Sequence, residues 1–136
     1  FANGIPADWT QNGTPAIANW EYRGPNTTPN NNTGSRGAFA QGTGAIQSQS
    51  PGNGFVIFDS DYLDNGGNPA NMGMGTAPTP HIGRLMTDTI DLSAQNAVEL
   101  SFYSYARQFF TNYFVAFSKD GGATWTDTIE LLLKLT

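Results

Sequence analysis

Apolar and polar residues alternate with a period of two along much of the chain, and clusters of Gly, Pro, Asn and Asp separate the alternating segments. This pattern predicts short β-strands joined by turns, because successive side chains of a strand point to opposite faces. About seven strands are expected on this basis. They cover residues 17–22, 37–41, 54–60, 83–88, 97–107, 113–119 and 124–133.

The longest alternating segment is AVELSFYSYAR at residues 97–107. It predicts a strand with one core face and one aromatic, half-polar face. The expected core face consists of Val98, Leu100, Phe102 and Ala106. The following segment, NYFVAFSK, is apolar on both faces, which is typical of a central strand that is covered on both sides.

Composition supports the same fold class. The chain has 136 residues with 16 Gly, 8 Pro and only 12% charged residues, a composition typical of β-sandwiches and barrels with long turns. Its length is that of a single domain, so we expect residues 1–136 to form one module. Because the first residue is Phe1 rather than Met, we expect this module to be a fragment of a larger protein.

Charge and cysteine content exclude several functions. The formal net charge is -5, and the six basic residues are scattered, whereas phosphate contacts need a clustered basic face. Nucleic acid is therefore not an expected partner. Without cysteine the chain has no disulfide, thiolate metal site or thiol nucleophile. No apolar run is long enough to span a bilayer, so we expect no membrane insertion.

Residues 118–125, SKDGGATW, match the Asp-box motif Ser-x-Asp-x-Gly-x-Thr-Trp, which recurs on sialidase propeller blades. A propeller needs several four-stranded blades, and this chain is too short for that. We therefore interpret the motif as a structural hairpin. The residues assigned to this turn are Asp120, Gly121, Gly122 and Trp125. The single His and the absence of a nucleophile-elbow context argue against an enzyme.

A second acidic segment, FDSDYLDNGG, follows an apolar strand. It concentrates hard oxygen ligands before an Asn-Gly-Gly turn, and such ligands suit Ca²⁺. The predicted calcium ligands are Asp59, Asp61, Asp64 and Asn65. Alternation in an extended segment would place Asp59 and Asp61 on the same side. The alternative is that all four are solvated turn residues.

Four segments together carry a family resemblance. They are FANGIPADW at the start, GNGFVIFDSDYLDNGG, TIDLS, and VAFSKDGGATWT near the end. In this order the segments resemble the cleaved-adhesin modules of secreted Bacteroidota surface proteins. These modules are also known as gingipain or haemagglutinin K-type domains and are related to the MAM domain.

The resemblance implies a jelly-roll-like antiparallel β-sandwich of the galactose-binding or MAM-like kind. It also implies a non-catalytic, exported module that adheres to glycans or proteins and holds structural calcium. The family continues beyond the Asp-box hairpin into further strands. Two alternatives follow: the sandwich is truncated at the C-terminus, which would leave a sheet edge open, or another segment supplies those strands.

Two groups of residues are candidates for ligand binding, because sugars are held by an aromatic face with planar polar side chains nearby. The first group consists of Tyr103, Tyr105, Arg107 and Gln108. The second consists of Trp20, Tyr22, Arg23 and Arg36. The alternative for both groups is that the aromatic rings pack beneath the long loops.

Two Asp-Thr-Ile triplets resemble an O-glycosylation signal of exported Bacteroidota proteins, which makes Thr89 and Thr128 candidate modification sites. The sequence thus predicts a non-catalytic adhesion module that is secreted or lies on the cell surface. Its expected partners are a glycan or an extracellular protein and the neighbouring domains of its parent. The alternatives are an accessory carbohydrate-binding domain of a secreted hydrolase and a structural spacer or cargo segment of a secretion system.

Overall fold

Short antiparallel strands make up nearly all of the regular secondary structure. The structure, a computed structural model, describes residues 1, 3–24, 52–63, 78–106 and 111–131. Within these ranges it has six strands and one helix of four residues. The prediction of an all-β protein is therefore confirmed at this level.

The strands form three two-stranded antiparallel sheets, which pair β1 with β4, β2 with β3 and β5 with β6. In chain order the elements are β1 (Thr10–Thr14), β2 (Glu21–Gly24), β3 (Phe55–Ile57), α1 (Ser60–Leu63), β4 (Ile82–Met86), β5 (Phe114–Phe117) and β6 (Asp127–Glu130). The chain divides into an N-terminal unit, Phe1–Ile90, and a C-terminal unit, Asp91–Thr136. The first two sheets belong to the N-terminal unit and the third to the C-terminal unit.

Two glycines face each other in the β1–β4 ladder, one position from its end. Gly13 is the register partner of Gly83, and Ala18, which is fully buried, lies against both. A Cβ on Gly13 would stand 2.3 Å from the backbone oxygen of Ala18, and one on Gly83 would stand 2.3 Å from the Phe58 ring. Glycine in a strand commonly marks such a close backbone approach. The polar segment β1 was not predicted as a strand, because it lacks apolar alternation.

The β2–β3 ladder contains a β-bulge at Arg23. Tyr22 pairs with Val56 and Gly24 pairs with Phe55, so Arg23 is the extra residue on β2. The backbone of Gly24 has a φ of 71°, a left-handed conformation that glycine adopts without the steric penalty of a Cβ. Bulges of this kind redirect side chains relative to the regular pleat.

The apolar strand that was predicted at residues 54–60 ends earlier, at Ile57. The chain then turns into α1, and the carbonyl of Asp59 accepts hydrogen bonds from the backbone N–H of Tyr62 at 3.1 Å and of Leu63 at 3.0 Å. Leu63 is buried beneath this turn. Because Asp61 lies in a helical turn, the prediction that Asp59 and Asp61 share one side of an extended segment is wrong.

The longest predicted strand, residues 97–107, is not a strand in its described part, residues 97–106. Its expected core face is open to solvent, with Val98, Leu100 and Phe102 exposed by 60%, 59% and 51%. Alternation describes which side chains would share a face, but a strand also needs a neighbouring strand for its backbone groups. The strand predicted at residues 37–41 lies outside the described residues.

We predict that Gly13→Ala lowers the free energy of unfolding by about 1–3 kcal/mol, because the new methyl group meets the Ala18 backbone, which cannot move aside alone. Gly52→Ala is the matched control, since nothing lies within 4 Å of its added Cβ. Urea unfolding followed by tryptophan fluorescence measures both variants. An equal effect of the two substitutions would contradict the close approach of β1 to the Ala18 loop.

Candidate functional site

The Asp-box residues form the turn of the β5–β6 hairpin. Asp120 Oδ1 accepts hydrogen bonds from the Thr124 N–H at 2.8 Å and from the Ser118 hydroxyl at 2.7 Å, while Oδ2 accepts the Thr124 hydroxyl at 2.5 Å. Ser118 Oγ in turn accepts the Gly122 N–H at 2.7 Å. One carboxylate therefore joins both sides of the turn, as expected for a side chain that replaces backbone pairing.

These contacts control the ionisation of Asp120. The Thr124 hydroxyl, the Thr124 amide and the Ser118 hydroxyl all donate to its carboxylate and lower its pKa from 3.8 to about 2. Hydrogen bonds to the charged form favour that form. Asp120 is therefore ionised throughout the physiological pH range, and its oxygens hold the turn.

The remaining turn residues complete the hairpin. Gly121 and Gly122 have φ values of 69° and 90°, which a residue with a Cβ rarely adopts. Trp125 Cζ2 lies 3.7 Å from the position that a Cβ on Gly122 would take. Lys119 and Asp127 form an exposed ion pair at 2.6 Å across the hairpin. The motif thus has a structural role here, because each group is engaged within the turn.

An ionic cluster connects β2 to the start of α1 in the N-terminal unit. Arg23 Nη2 lies 3.1 Å from Asp59 Oδ2 and 3.0 Å from Glu21 Oε2. The side chains of Arg23 and Asp59 are only 9% and 3% exposed, whereas that of Glu21 is 43% exposed. Arg23, which was expected on a ligand-binding surface, is instead an interior partner of Asp59.

The predicted calcium ligands are described only in part. Asp59 is the one whose side chain is placed, and its carboxylate is bound to Arg23. The side chain of Asp61 and all of Asp64 and Asn65 lie outside the described residues. In the described ranges no group of three or more His, Cys, Asp or Glu side chains comes together as a metal site would require. The calcium site stays a prediction.

Trp20 lies among aromatic rings of the N-terminal unit. Its indole N–H donates to the Gly83 carbonyl at 3.2 Å, and its ring centroid lies 5.8 Å from that of Phe58. The Phe58 ring lies 5.2 Å from the His81 ring. The half-buried indole thus connects β4 to the end of β3, which is a packing role.

Tyr22 packs against the backbone at the other end of β2. A Cβ on Gly54 would stand 2.3 Å from the Tyr22 ring and 2.4 Å from the Phe1 carbonyl oxygen, so the ring covers a position that only glycine fits. Arg36, the remaining member of this predicted ligand group, lies outside the described residues. Trp20 and Tyr22 thus lie against the protein's own backbone, and Arg23 pairs with its own carboxylates.

Tyr103 and Tyr105 have a different environment. They are 67% and 49% exposed, and neither lies in a strand. A shallow depression of about 230 Å³ beside them is lined by Ser101, Phe102 and Tyr103, which is smaller than the roughly 300 Å³ at which enclosed ligand pockets begin. Any sugar here would therefore lie on the surface. Arg107 and Gln108 lie outside the described residues.

The two candidate O-glycosylation sites are both on exposed segments. Thr89 lies in an irregular stretch, where its N–H donates to Asp88 Oδ1 at 2.7 Å. Thr128 lies on β6 opposite Ala116. Exposure is necessary for modification and does not by itself identify a modified residue, so both sites stay predictions.

The residues that sequence reasoning missed are those that act through the backbone. Gly13 and Gly83 were not distinguished from the other glycines, although Gly inside a strand pattern signals a close approach. The pairing of Arg23 with Asp59 spans 36 positions. Its one local signal was Gly24 directly after Arg23, which is typical of a bulge.

Comparison with models of protein families, with curated proteins and with solved structures gives no match for this chain. In the part of the chain that the structure describes, no helix has the length and apolar character of a membrane span.

We predict that the hairpin loses stability in acid. The pKa of Asp120 is about 2 in the folded hairpin and near 3.8 otherwise, so the unfolded chain binds its proton at the higher pH. The stabilisation is therefore complete above about pH 4 and is lost as the pH falls toward 2. The protection of the Thr124 amide, which is its hydrogen-exchange rate relative to that of an unstructured peptide at the same pH, measures this loss from pH 5 to pH 2.

Asp120→Asn should remove this pH dependence, because the amide does not titrate. Asp91→Asn is the matched control: hydrogen bonds from Ser93 lower the pKa of Asp91 as well, but Asp91 makes no contact with Thr124. If the protection of the Thr124 amide in the Asp120 variant still fell with pH as in the unsubstituted chain, the assignment of the turn to this carboxylate would be wrong.

Proposed function

We propose that this chain is a non-catalytic binding module of an exported or cell-surface protein, that it has a jelly-roll-like sandwich fold, and that it recognises a glycan. The observation that carries the proposal is the exposure of Tyr103 and Tyr105 in one short segment of the C-terminal unit. The all-β secondary structure and the four family-like segments also support it.

Exposed tyrosines suit sugar recognition for a physical reason. A phenol ring offers an apolar face to the C–H groups of a pyranose, and its hydroxyl hydrogen-bonds with water or a ligand hydroxyl. Ser101 and Ser104 lie in the same exposed segment and offer further hydroxyl groups. The depression is too shallow to enclose a small molecule, which favours a surface-bound glycan over a buried metabolite.

The carboxylates of Asp120 and Asp59 are both bound by other side chains, which supports a non-catalytic role. Asp120 has a pKa near 2 and is held by Thr124 and Ser118, whereas a general acid at neutral pH needs a raised pKa. Asp59 is buried against Arg23. In these positions both carboxylates serve the fold, and a glycosidase would need a pair of carboxyl groups that face its substrate.

We predict that the chain binds members of a glycan array and that Tyr103→Ala and Tyr105→Ala each weaken this binding about tenfold or more. Loss of one aromatic contact worth about 1.4 kcal/mol corresponds to that factor. Titration calorimetry with the best glycan from the array gives the affinities.

Phe114→Ala is the matched control, because Phe114 is an equally exposed aromatic residue of the same unit that lies outside the segment. Its affinity should match that of the unsubstituted chain. Failure to bind any glycan at millimolar concentration would favour a spacer or a protein-binding module. Release of free sugar from the array glycans would overturn the non-catalytic assignment.

A further inference from the structure

The buried carboxylate of Asp59 already has a cation within the fold. Asp59 is 4% exposed, and the Arg23 guanidinium lies 3.1 Å from its Oδ2. An ionised carboxylate in the interior needs a charged or hydrogen-bonding partner to offset its lost hydration. Arg23 supplies that partner, and its Nη2 also lies 3.0 Å from Glu21 Oε2 at the exposed edge of the cluster.

The backbone of β2 fixes the position of this cation. Arg23 is the extra residue of the bulge between Tyr22 and Gly24, and Gly24 takes the left-handed conformation that closes it. A bulge re-aims the side chain of the extra residue. The bulge thus sets the direction in which the Arg23 side chain leaves β2, and that side chain is only 9% exposed.

This arrangement does not fit a calcium ion at Asp59. Calcium binds carboxylate oxygens at about 2.3 to 2.6 Å, so an ion on Oδ2 would stand within about 5.5 Å of the Arg23 nitrogen. Two cations at that distance in a buried site repel each other strongly, because the interior screens charge poorly. Among the described residues this cluster has two carboxylates, those of Asp59 and Glu21, and no group of three metal-ligating side chains forms. Arg23 contributes a positive charge where a calcium ion would need negative ones.

We propose that Arg23 is the resident counter-cation of Asp59 and that Asp59 is not a calcium ligand. The junction between β3 and α1 is then assembled by an internal ion pair, and calcium does not contribute to it. Arg23 acts as a positioning residue for the α1 turn, since the Asp59 carbonyl accepts the first helical N–H bonds.

Thermal melts of the full chain in excess Ca²⁺ and in EDTA test the proposal. We expect any difference between the two conditions to be the same in the unsubstituted chain and in Asp59→Asn. We also expect Arg23→Met to lower the midpoint by roughly 10 °C, because it removes the cation beside a buried carboxylate. Lys119→Met, which breaks the exposed Lys119–Asp127 pair, is the matched control and should change the midpoint little.

The double variant Arg23→Met/Asp59→Asn removes both charges together and should recover most of the stability that Arg23→Met loses. It also provides the calcium comparison if Asp59→Asn alone does not fold. A calcium-dependent rise of the midpoint that disappears when Asp59 is replaced would overturn the proposal, and so would an Arg23→Met variant as stable as the unsubstituted chain.

Discussion

The N-terminal unit depends on the close approach of two backbones at Gly13 and Gly83. These glycines pair one position from the end of the β1–β4 ladder, and the buried Ala18 carbonyl lies against them. The absence of both side chains leaves room for the Phe58 ring over Gly83 and brings Trp20 within hydrogen-bonding distance of the Gly83 carbonyl. A polar segment such as TQNGT becomes a strand because its backbone fits there, although its side chains bury little apolar surface.

Sequence patterns predicted the fold best where the determinants are local. The Asp-box hairpin is an example, because Ser118, Asp120 and two glycines within a few positions define its turn. The described strands β3, β4, β5 and β6 lie within or next to the predicted segments, with shorter bounds. The β1 strand and the lack of a strand at residues 97–106 were not predicted, because both depend on which segment supplies a pairing partner.

The predictions for the candidate site show the same difference between local features and contacts between distant segments. The carboxylates were identified from the sequence as a group that suits a hard cation, but the cation that reaches Asp59 comes from Arg23, which is distant in the chain and positioned by a bulge.

The environments of the aromatic residues were also not predicted from the sequence. Trp20 and Tyr22 pack on backbone, whereas Tyr103 and Tyr105 remain exposed. Alternation did not distinguish these environments, since it contains no information about contacts between distant segments.

The proposed binding role depends on the segment around Tyr103 being a surface in solution, rather than the core strand that its alternation predicted. Hydrogen exchange of the free chain, resolved by residue, measures this directly. We expect the amides of residues 98–105 to exchange nearly as fast as those of an unstructured peptide, while the amides paired between β1 and β4 are protected. Strong protection of residues 98–105 in the free chain would show that this segment is paired and buried, and that it is not the binding surface proposed for it.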